Sequence, residues 1–145
     1  IAVSGSTIVV GAPDANILPF NFGEGAAYVF VEPRSGWADA TQTAKLTHSD
    51  GGNATVFGIS VGISGDTVVA GAGLATVGAN FDQGAAYIFV RPGSGWADET
   101  QTAKLTASDG AAGDQFGTSV AISGNTAVAG APGATASGNF LQGAA

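Results

Sequence analysis

The chain has 145 residues, of which 45% are hydrophobic, so it is long and apolar enough to bury the core of one modest domain. Its formal net charge of -7 and its four lysine and arginine residues exclude an electrostatic footprint for nucleic acid or for an anionic membrane surface. It has no cysteine, which excludes disulfides and thiolate metal sites. No apolar run is long enough to span a bilayer, no signal peptide is visible, and the first residue is Ile1, so we expect a processed product or an excerpt.

One complete repeat of the sequence predicts four short strands, taken here in chain order. In residues 57–64 (FGISVGIS), alternation places Ile59, Val61 and Ile63 on one face. The next three predicted strands are 67–72 (TVVAGA), 85–90 (AAYIFV) and 102–106 (TAKLT). The triplets S-G-D at 64–66 and S-G-N at 123–125 favour tight hairpins, because glycine adopts positive φ without steric cost. No segment has the apolar period of an amphipathic helix.

The dominant signal is an internal repeat with a period of 59 residues. The sequence GAAYVFV begins at Gly25, GAAYIFV begins at Gly84, and GAA returns at Gly143. Residues 25–50 match 84–109 at 21 of 26 positions. Four antiparallel strands repeated in tandem are the pattern of β-propeller blades. The sequence therefore predicts an all-β fold of about two and a half blades, with units 1–56, 57–115 and 116–145, of which the first and last are incomplete.

Two short motifs, Phe-Gly and a GAP-type triplet, recur in a fixed order. They resemble the FG-GAP repeat, the blade unit of the integrin α-subunit propeller and of many secreted bacterial proteins. Phe57-Gly58 precedes Gly71-Ala72-Gly73, and Phe116-Gly117 precedes Gly130-Ala131-Pro132. The first repeat keeps Gly11-Ala12-Pro13. The resemblance covers essentially the whole chain and implies a propeller, usually of about seven blades in this family.

The chain departs from the family at the calcium loop, which many members carry between the first two strands. Ser6, Asp66 and Asn125 occupy that place in the three repeats, and a single carboxylate cannot provide the six or more oxygen ligands of calcium. We therefore expect no metal and no cofactor. Asp109 and Asp114 would be the first residues to test for a metal elsewhere, although their segment is also typical of an ordinary turn.

No catalytic constellation is visible, so we expect a protein that is not an enzyme. Residues 68–78 begin like a dinucleotide fingerprint, but Thr76 stands where its third glycine would be. His48 is interpreted as a solvated loop histidine, because neighbours in sequence do not make a triad. Asp98 and Glu99 are adjacent, whereas glycosidase carboxylates face each other across a cleft, so these two are interpreted as a polar strand connection.

The aromatic residues are interpreted mainly as packing groups. Tyr28, Phe30, Tyr87 and Phe89 alternate along the third strands and are expected in the core between sheets. Trp37 and Trp96 are expected to cover the blade edge, with a sugar-stacking platform as the alternative. The regular recurrence of Phe22, Phe81 and Phe140 three residues before GAA predicts packing as well.

Loops that vary while the strands repeat are the expected place for recognition. Residues 14–24, 74–83 and 133–142, with 50–56 and 109–115, should share one face of the propeller. The candidate ligand-binding residues in these loops are Asp14, Asn16, Asn80, Asp82, Asn139, Asp109 and Asp114.

The resemblance implies a non-catalytic binding or adhesion module of a secreted or cell-surface protein, with a protein or glycan as its ligand. Two alternatives remain open at this point. The near-identity of the repeats also suits a structural spacer or a self-assembling module, in which copies of the chain associate to complete a propeller. FG-GAP blades also occur beside hydrolytic domains, so the chain could be an accessory domain of a hydrolase.

Overall fold

The computed structural model describes residues 1–17, 22–52, 54–135 and 141–145. These residues are all-β, as the sequence predicts, and they contain no helix long and apolar enough to cross a membrane. The strands are β1 (Ala2–Ser4), β2 (Thr7–Ala12), β3 (Ala26–Val31), β4 (Ala44–Thr47), β5 (Ser60–Ser64), β6 (Thr67–Ala72), β7 (Ala85–Val90), β8 (Glu99–Thr100), β9 (Ala103–Leu105), β10 (Ser119–Ser123) and β11 (Thr126–Gly130).

The strands form three sheets that follow the repeat. The first sheet has the order β1-β2-β3-β4-β8, the second has the order β5-β6-β7-β9, and the third pairs β10 with β11. Within each sheet, neighbours in the chain pair antiparallel, as in the blade of a β-propeller. Each sheet begins with a tight hairpin in which Gly5, Gly65 or Gly124 has φ between +55° and +57°. The predicted propeller-blade architecture is thereby confirmed.

Two of the predicted strands of the complete repeat have the observed bounds and two differ. Strands β6 and β7 cover the predicted residues, whereas β5 begins at Ser60 rather than at 57 and β9 covers 103–105 rather than 102–106. The first strand starts late because Phe57 forms a parallel bridge with Gly25 of the preceding repeat and Gly58 has φ +86°. Ile59 and Ile63 were expected on the same face of this strand, but Ile63 is buried whereas Ile59 is 47% exposed.

Strand β8 was not predicted. Glu99 and Thr100 leave their own repeat and pair in parallel with Leu46 and Thr47 at the outer edge of the first sheet. The Asp98 side chain accepts a hydrogen bond of 2.7 Å from the Lys45 backbone amide beside this pairing. This segment therefore joins the second repeat to the first, and the interpretation of Asp98 and Glu99 as a polar connection between strands is wrong for Glu99, which lies within strand β8.

The core lies between the sheets and not within them. Alternate residues of a strand point to opposite faces, so Val68 of β6 joins the cluster shared with the first sheet and Val69 joins the cluster shared with the third. Tyr87 and Phe89 are fully buried in the first of these clusters, as predicted, whereas Tyr28 and Phe30 of the first repeat are only half-buried. Trp96 is buried in the same cluster, and its counterpart Trp37 is half-exposed.

The two glycine motifs meet at the contact between successive repeats. A Cβ atom added to Gly11 would lie 1.9 Å from the carbonyl oxygen of Gly58, and one added to Gly71 would lie 1.8 Å from that of Gly117. Within each repeat, the Gly58 amide donates to the Gly71 oxygen at 2.8 Å, and the Gly117 amide donates to the Gly130 oxygen at 2.9 Å. Neighbouring blades thus approach each other backbone to backbone at these positions.

We expect the substitution Gly71→Ala to lower the free energy of unfolding by at least ~2 kcal/mol, because the new methyl group must displace the backbone of the next repeat. Urea unfolding followed by circular dichroism measures this change. Gly93→Ala is the matched control, since its Cβ would meet no atom within 4 Å, and it should change stability by less than ~0.5 kcal/mol. Equal effects of the two substitutions would contradict the backbone contact.

Candidate binding face and the adjoining repeat junction

The two types of loop that were predicted to share one face contact each other. The amide of Ala54, in the connection between the first two sheets, donates to the carbonyl oxygen of Phe22 at 2.7 Å. In the next repeat the amide of Gly113 donates to the carbonyl oxygen of Phe81 at 3.0 Å. Each loop between the second and third strands is therefore fixed to the connection that leads to the following repeat.

The candidate asparagines build these loops. The Asn16 side chain accepts a hydrogen bond from the Gly23 amide at 3.1 Å and so closes the first loop on itself. The Asn80 amide group donates to the side chain of Gln83 at 2.9 Å and to the carbonyl oxygen of Gly110 at 3.0 Å. Their polar groups are thus engaged in loop structure. The candidate Asn139 lies outside the described residues.

The candidate aspartates divide into a buried one and three exposed ones. Asp114 is buried, and its carboxylate accepts a hydrogen bond of 2.7 Å from the Ala111 amide, which closes the turn of that connection. Asp14, Asp82 and Asp109 are exposed. Asp82 has φ +55°, and its carbonyl oxygen accepts a hydrogen bond from the Gln115 amide at 3.0 Å. The exposed carboxylates are therefore carried on a fixed loop framework.

The prediction that the recurring loop phenylalanines are packing groups is wrong for the two that are described. Phe22 is 69% exposed and Phe81 is 74% exposed. Their backbone carbonyl oxygens accept hydrogen bonds from the inter-repeat connections, whereas their side chains are exposed. Phe140, at the same place in the third repeat, lies outside the described residues.

The interpretation of His48 as a solvated loop histidine is also wrong. The residue is 5% exposed, and its ring lies 5.0 Å from that of Phe57 and 5.3 Å from that of Tyr87. The Thr55 hydroxyl donates to the Glu24 carbonyl oxygen at 2.7 Å and lies 3.0 Å from Nε2 of His48, so that nitrogen carries the donating hydrogen. His48 lies in the connection between repeats, and its side chain is buried because it packs against the aromatic rings of the following repeat.

Sequence reasoning missed a polar cluster that joins the first two repeats. Asp50 of the connection accepts a hydrogen bond of 3.0 Å from the Tyr87 hydroxyl, and its second carboxylate oxygen pairs with Nζ of Lys104. The same Nζ lies 5.6 Å from the centre of the Tyr87 ring. The signal for this cluster was in the repeat, because tyrosine, lysine and aspartate each recur 59 residues apart in a chain with few charged residues.

The electrostatics of the cluster follow from its partial burial. Burial alone would raise the pKa of the Asp50 carboxyl, but the hydrogen bond and charge of Lys104, with the Tyr87 hydroxyl, outweigh it and hold the pKa below its ordinary value. Burial and the Asp50 charge together raise the pKa of Tyr87, so its hydroxyl stays protonated and continues to donate. Burial also raises the pKa of Glu99 in strand β8.

The arrangement of titratable groups does not form a metal centre in the part of the chain that the structure describes. No group of three or more histidine, cysteine, aspartate and glutamate side chains among these residues could hold a metal ion. Asp109 and Asp114 line one side of a cleft of about 600 Å³ at the contact between the second and third repeats. The cleft is also lined by Phe116, by several alanines and by the hydroxyl residues Ser108 and Thr135.

A comparison with protein families identifies the chain. The model of the FG-GAP repeat matches residues 40–89 and 100–145, which together are more than half of the sequence. The chain belongs to the FG-GAP repeat family and is a propeller module of a repeat protein. FG-GAP repeats are generally non-catalytic and typically occur in extracellular or surface proteins. No curated protein matches the chain at a significant level.

We expect Asp50→Asn to lower the free energy of unfolding by about 1 kcal/mol at pH 7, since the cluster is partly exposed and its charges are screened. Because the pKa of folded Asp50 lies below 3.8, the stabilisation is present above that pH and is lost as the pH falls through the folded pKa. Urea unfolding at several pH values should therefore show wild type and variant converging below about pH 4.

The matched control is Asp66→Asn, which removes the same charge from a pair in which Asp66 lies 3.3 Å from Arg91. Both partners of this pair are more exposed than Lys104 and Asp50, so we expect a loss below ~0.5 kcal/mol. A loss at Asp50 that is no larger than this, or that does not change with pH, would contradict the inter-repeat cluster.

Proposed function

We propose that the chain is a non-catalytic binding module of an extracellular or cell-surface protein, and that its loop face recognises a protein or a glycan. The observation that carries the proposal is the pair of exposed phenylalanines, Phe22 and Phe81, at equivalent positions of two successive repeats. Soluble proteins place most of their large aromatic side chains inside, so two exposed rings on one end of the molecule favour a contact surface.

The chemistry of these loops suits such a contact. An aromatic ring offers a flat apolar surface that stacks on a sugar ring or enters an apolar pocket of a protein. The backbone of each phenylalanine is already hydrogen-bonded to the next connection, so little conformational entropy is lost when a ligand binds. Asp14 and Asp82 are exposed in the same loops and provide the polar rim that a binding surface commonly has.

The family supports the non-catalytic and extracellular parts of the proposal. FG-GAP repeats are generally non-catalytic and typically belong to extracellular or surface proteins. In the described residues, the polar cluster with the most perturbed pKa values joins two repeats, and its hydrogen bonds are made within the protein. The loops that vary between repeats are therefore the better place for function than this junction.

We expect the chain to bind a component of a glycan array or of a panel of purified extracellular-matrix proteins. The variants Phe22→Ala and Phe81→Ala should each weaken that binding at least tenfold, because alanine removes the stacking ring. Circular dichroism should show unchanged folding, since both side chains are exposed.

The control is Trp37→Ala, which removes an aromatic ring that is 50% exposed in the connection between the third and fourth strands. That connection lies at the opposite end of the sheet from the loop face, so the variant should bind like the wild type. Binding that is insensitive to both phenylalanines, or equally sensitive to Trp37, would refute the proposed face.

A further inference from the structure

The two connections between successive repeats differ in one buried titratable side chain. We call the described residues 48–52 and 54–56 the first connection and residues 107–115 the second connection. His48 is the single histidine of the chain, and it stands where the second connection has Ala107. Its side chain is 1% exposed, between the first two repeats. A group that changes charge near neutral pH is therefore buried at one junction and absent from its counterpart.

One ring nitrogen of His48 has no hydrogen-bond partner. Nε2 lies 3.0 Å from the hydroxyl oxygen of Thr55 and 3.4 Å from the carbonyl oxygen of Glu24. Nδ1 is buried and makes no hydrogen bond to any described residue, although it lies 3.4 Å from Oδ1 of Asp50. In the neutral ring with hydrogen on Nε2, two acceptors thus face each other. A proton on Nδ1 turns this contact into a charge-assisted hydrogen bond.

The Asp50 carboxylate is available for such a bond. The pKa of this carboxyl lies below its ordinary value, so the group stays charged at mildly acidic pH. Lys104 pairs with Oδ2, which leaves Oδ1 to the Tyr87 hydroxyl and to Nδ1 of His48. A carboxylate oxygen accepts two hydrogen bonds without losing either, so protonation of the ring does not displace the tyrosine.

The remaining groups around the imidazole also suit a cation. The side chain of Glu24 is buried beside Gly51: a Cβ added there would lie 2.0 Å from its Oε1 and 3.2 Å from Cε1 of His48. The aromatic rings of Phe57 and Tyr87 lie 5.0 Å and 5.3 Å from the imidazole. Aromatic rings at this range attract a cation. Two carboxyl groups and two rings therefore surround the imidazole, against one lysine ammonium group.

The first connection is also the more strained of the two. Ala54 and Val56 have φ of +58° and +51°, in the left-handed region, where a β-branched residue such as valine is especially disfavoured. At the equivalent positions the second connection has Gly113, with φ +85°, and Gln115, with φ +59°. Local opening relieves more strain in the first connection, so its closure depends more on the bonds that hold it.

We propose that His48 is a proton-dependent clasp, which holds the first connection closed when Nδ1 is protonated and bonded to Asp50. The protonated ring has this partner only in the folded chain, so the stabilisation is present in mild acid and is lost as the pH rises through the range in which histidine changes charge. The second connection, with Ala107, does not respond. The clasp needs no ligand, so its test is separate from that of the proposed binding function.

Amide hydrogen exchange of the 145-residue chain, followed by NMR, tests the clasp. The amides of Ala54 and Val56 donate across the junction to the carbonyl oxygens of Phe22 and Gly23. Between about pH 7.5 and pH 5.5 we expect their protection factors, which correct for the intrinsic pH dependence of exchange, to rise roughly tenfold. The equivalent amides of the second connection are the internal control and should change less than about twofold. These are Gly113 and Gln115, which donate to Phe81 and Asp82.

Two variants assign the rise to the bond between His48 and Asp50. His48→Gln keeps a polar side chain that cannot gain a proton, and Asp50→Asn removes the charge of the acceptor. Each should abolish the rise, and the two together should do no more, because they remove the same bond. Asp66→Asn is the charge-matched control at a distant surface pair and should leave the rise intact.

The wild-type chain provides a measurement that does not depend on variants. With ¹⁵N-labelled histidine, the NMR signals of the imidazole belong to a single residue, so the protonation of Nδ1 can be followed directly. Nδ1 should gain its proton over the pH range in which the two amides become protected. The proposal is overturned if Nδ1 stays unprotonated down to about pH 5.5, if the second connection shows the same rise, or if the rise persists in His48→Gln.

Discussion

The fold depends on a close approach of backbones between successive repeats. Gly11 faces the carbonyl oxygen of Gly58, and Gly71 faces that of Gly117, at distances that leave no room for a side chain. The amides of Gly58 and Gly117 also donate to the carbonyl oxygens of Gly71 and Gly130, each within its own repeat. The Phe-Gly motif of one repeat and the GAP-type triplet of the preceding repeat therefore form a single contact. This contact sets the spacing of the blades, and the apolar clusters between the sheets form around it.

Much of the fold could be predicted because each repeat gives the same local information. The bounds of β6 and β7 follow from β-branched and aromatic residues between glycine-rich turns. The start of β5 could not be read in this way, since Phe57 and Gly58 are engaged by the preceding repeat. Strand β8 escaped prediction for the same reason, because its partner lies in another blade and pairs with it in parallel. Contacts between repeats are where single-sequence patterns are weakest.

The candidate site was predictable at the level of its loops and less so at the level of its side chains. The two loop types do meet, but Asn16 and Asn80 are engaged in holding them, and Asp114 is buried in its own turn. The recurrence of Phe22 and Phe81 predicts packing, but recurrence in sequence does not tell whether a side chain is buried or lies on the surface. His48 has alanine as its counterpart, so no repeat signal indicated its burial.

The central claim, that the glycine contact holds the blades together, is tested most directly by amide hydrogen exchange of the Phe57 and Phe116 amides. These amides donate across the boundary between repeats, to the carbonyl oxygens of Glu24 and Gln83, directly beside the glycine contact, so they should exchange only when the whole chain unfolds, and as slowly as the central residues of β6. Exchange of either amide as fast as that of the exposed loop residues, while β6 remains protected, would show that the blades separate without unfolding and would contradict the account.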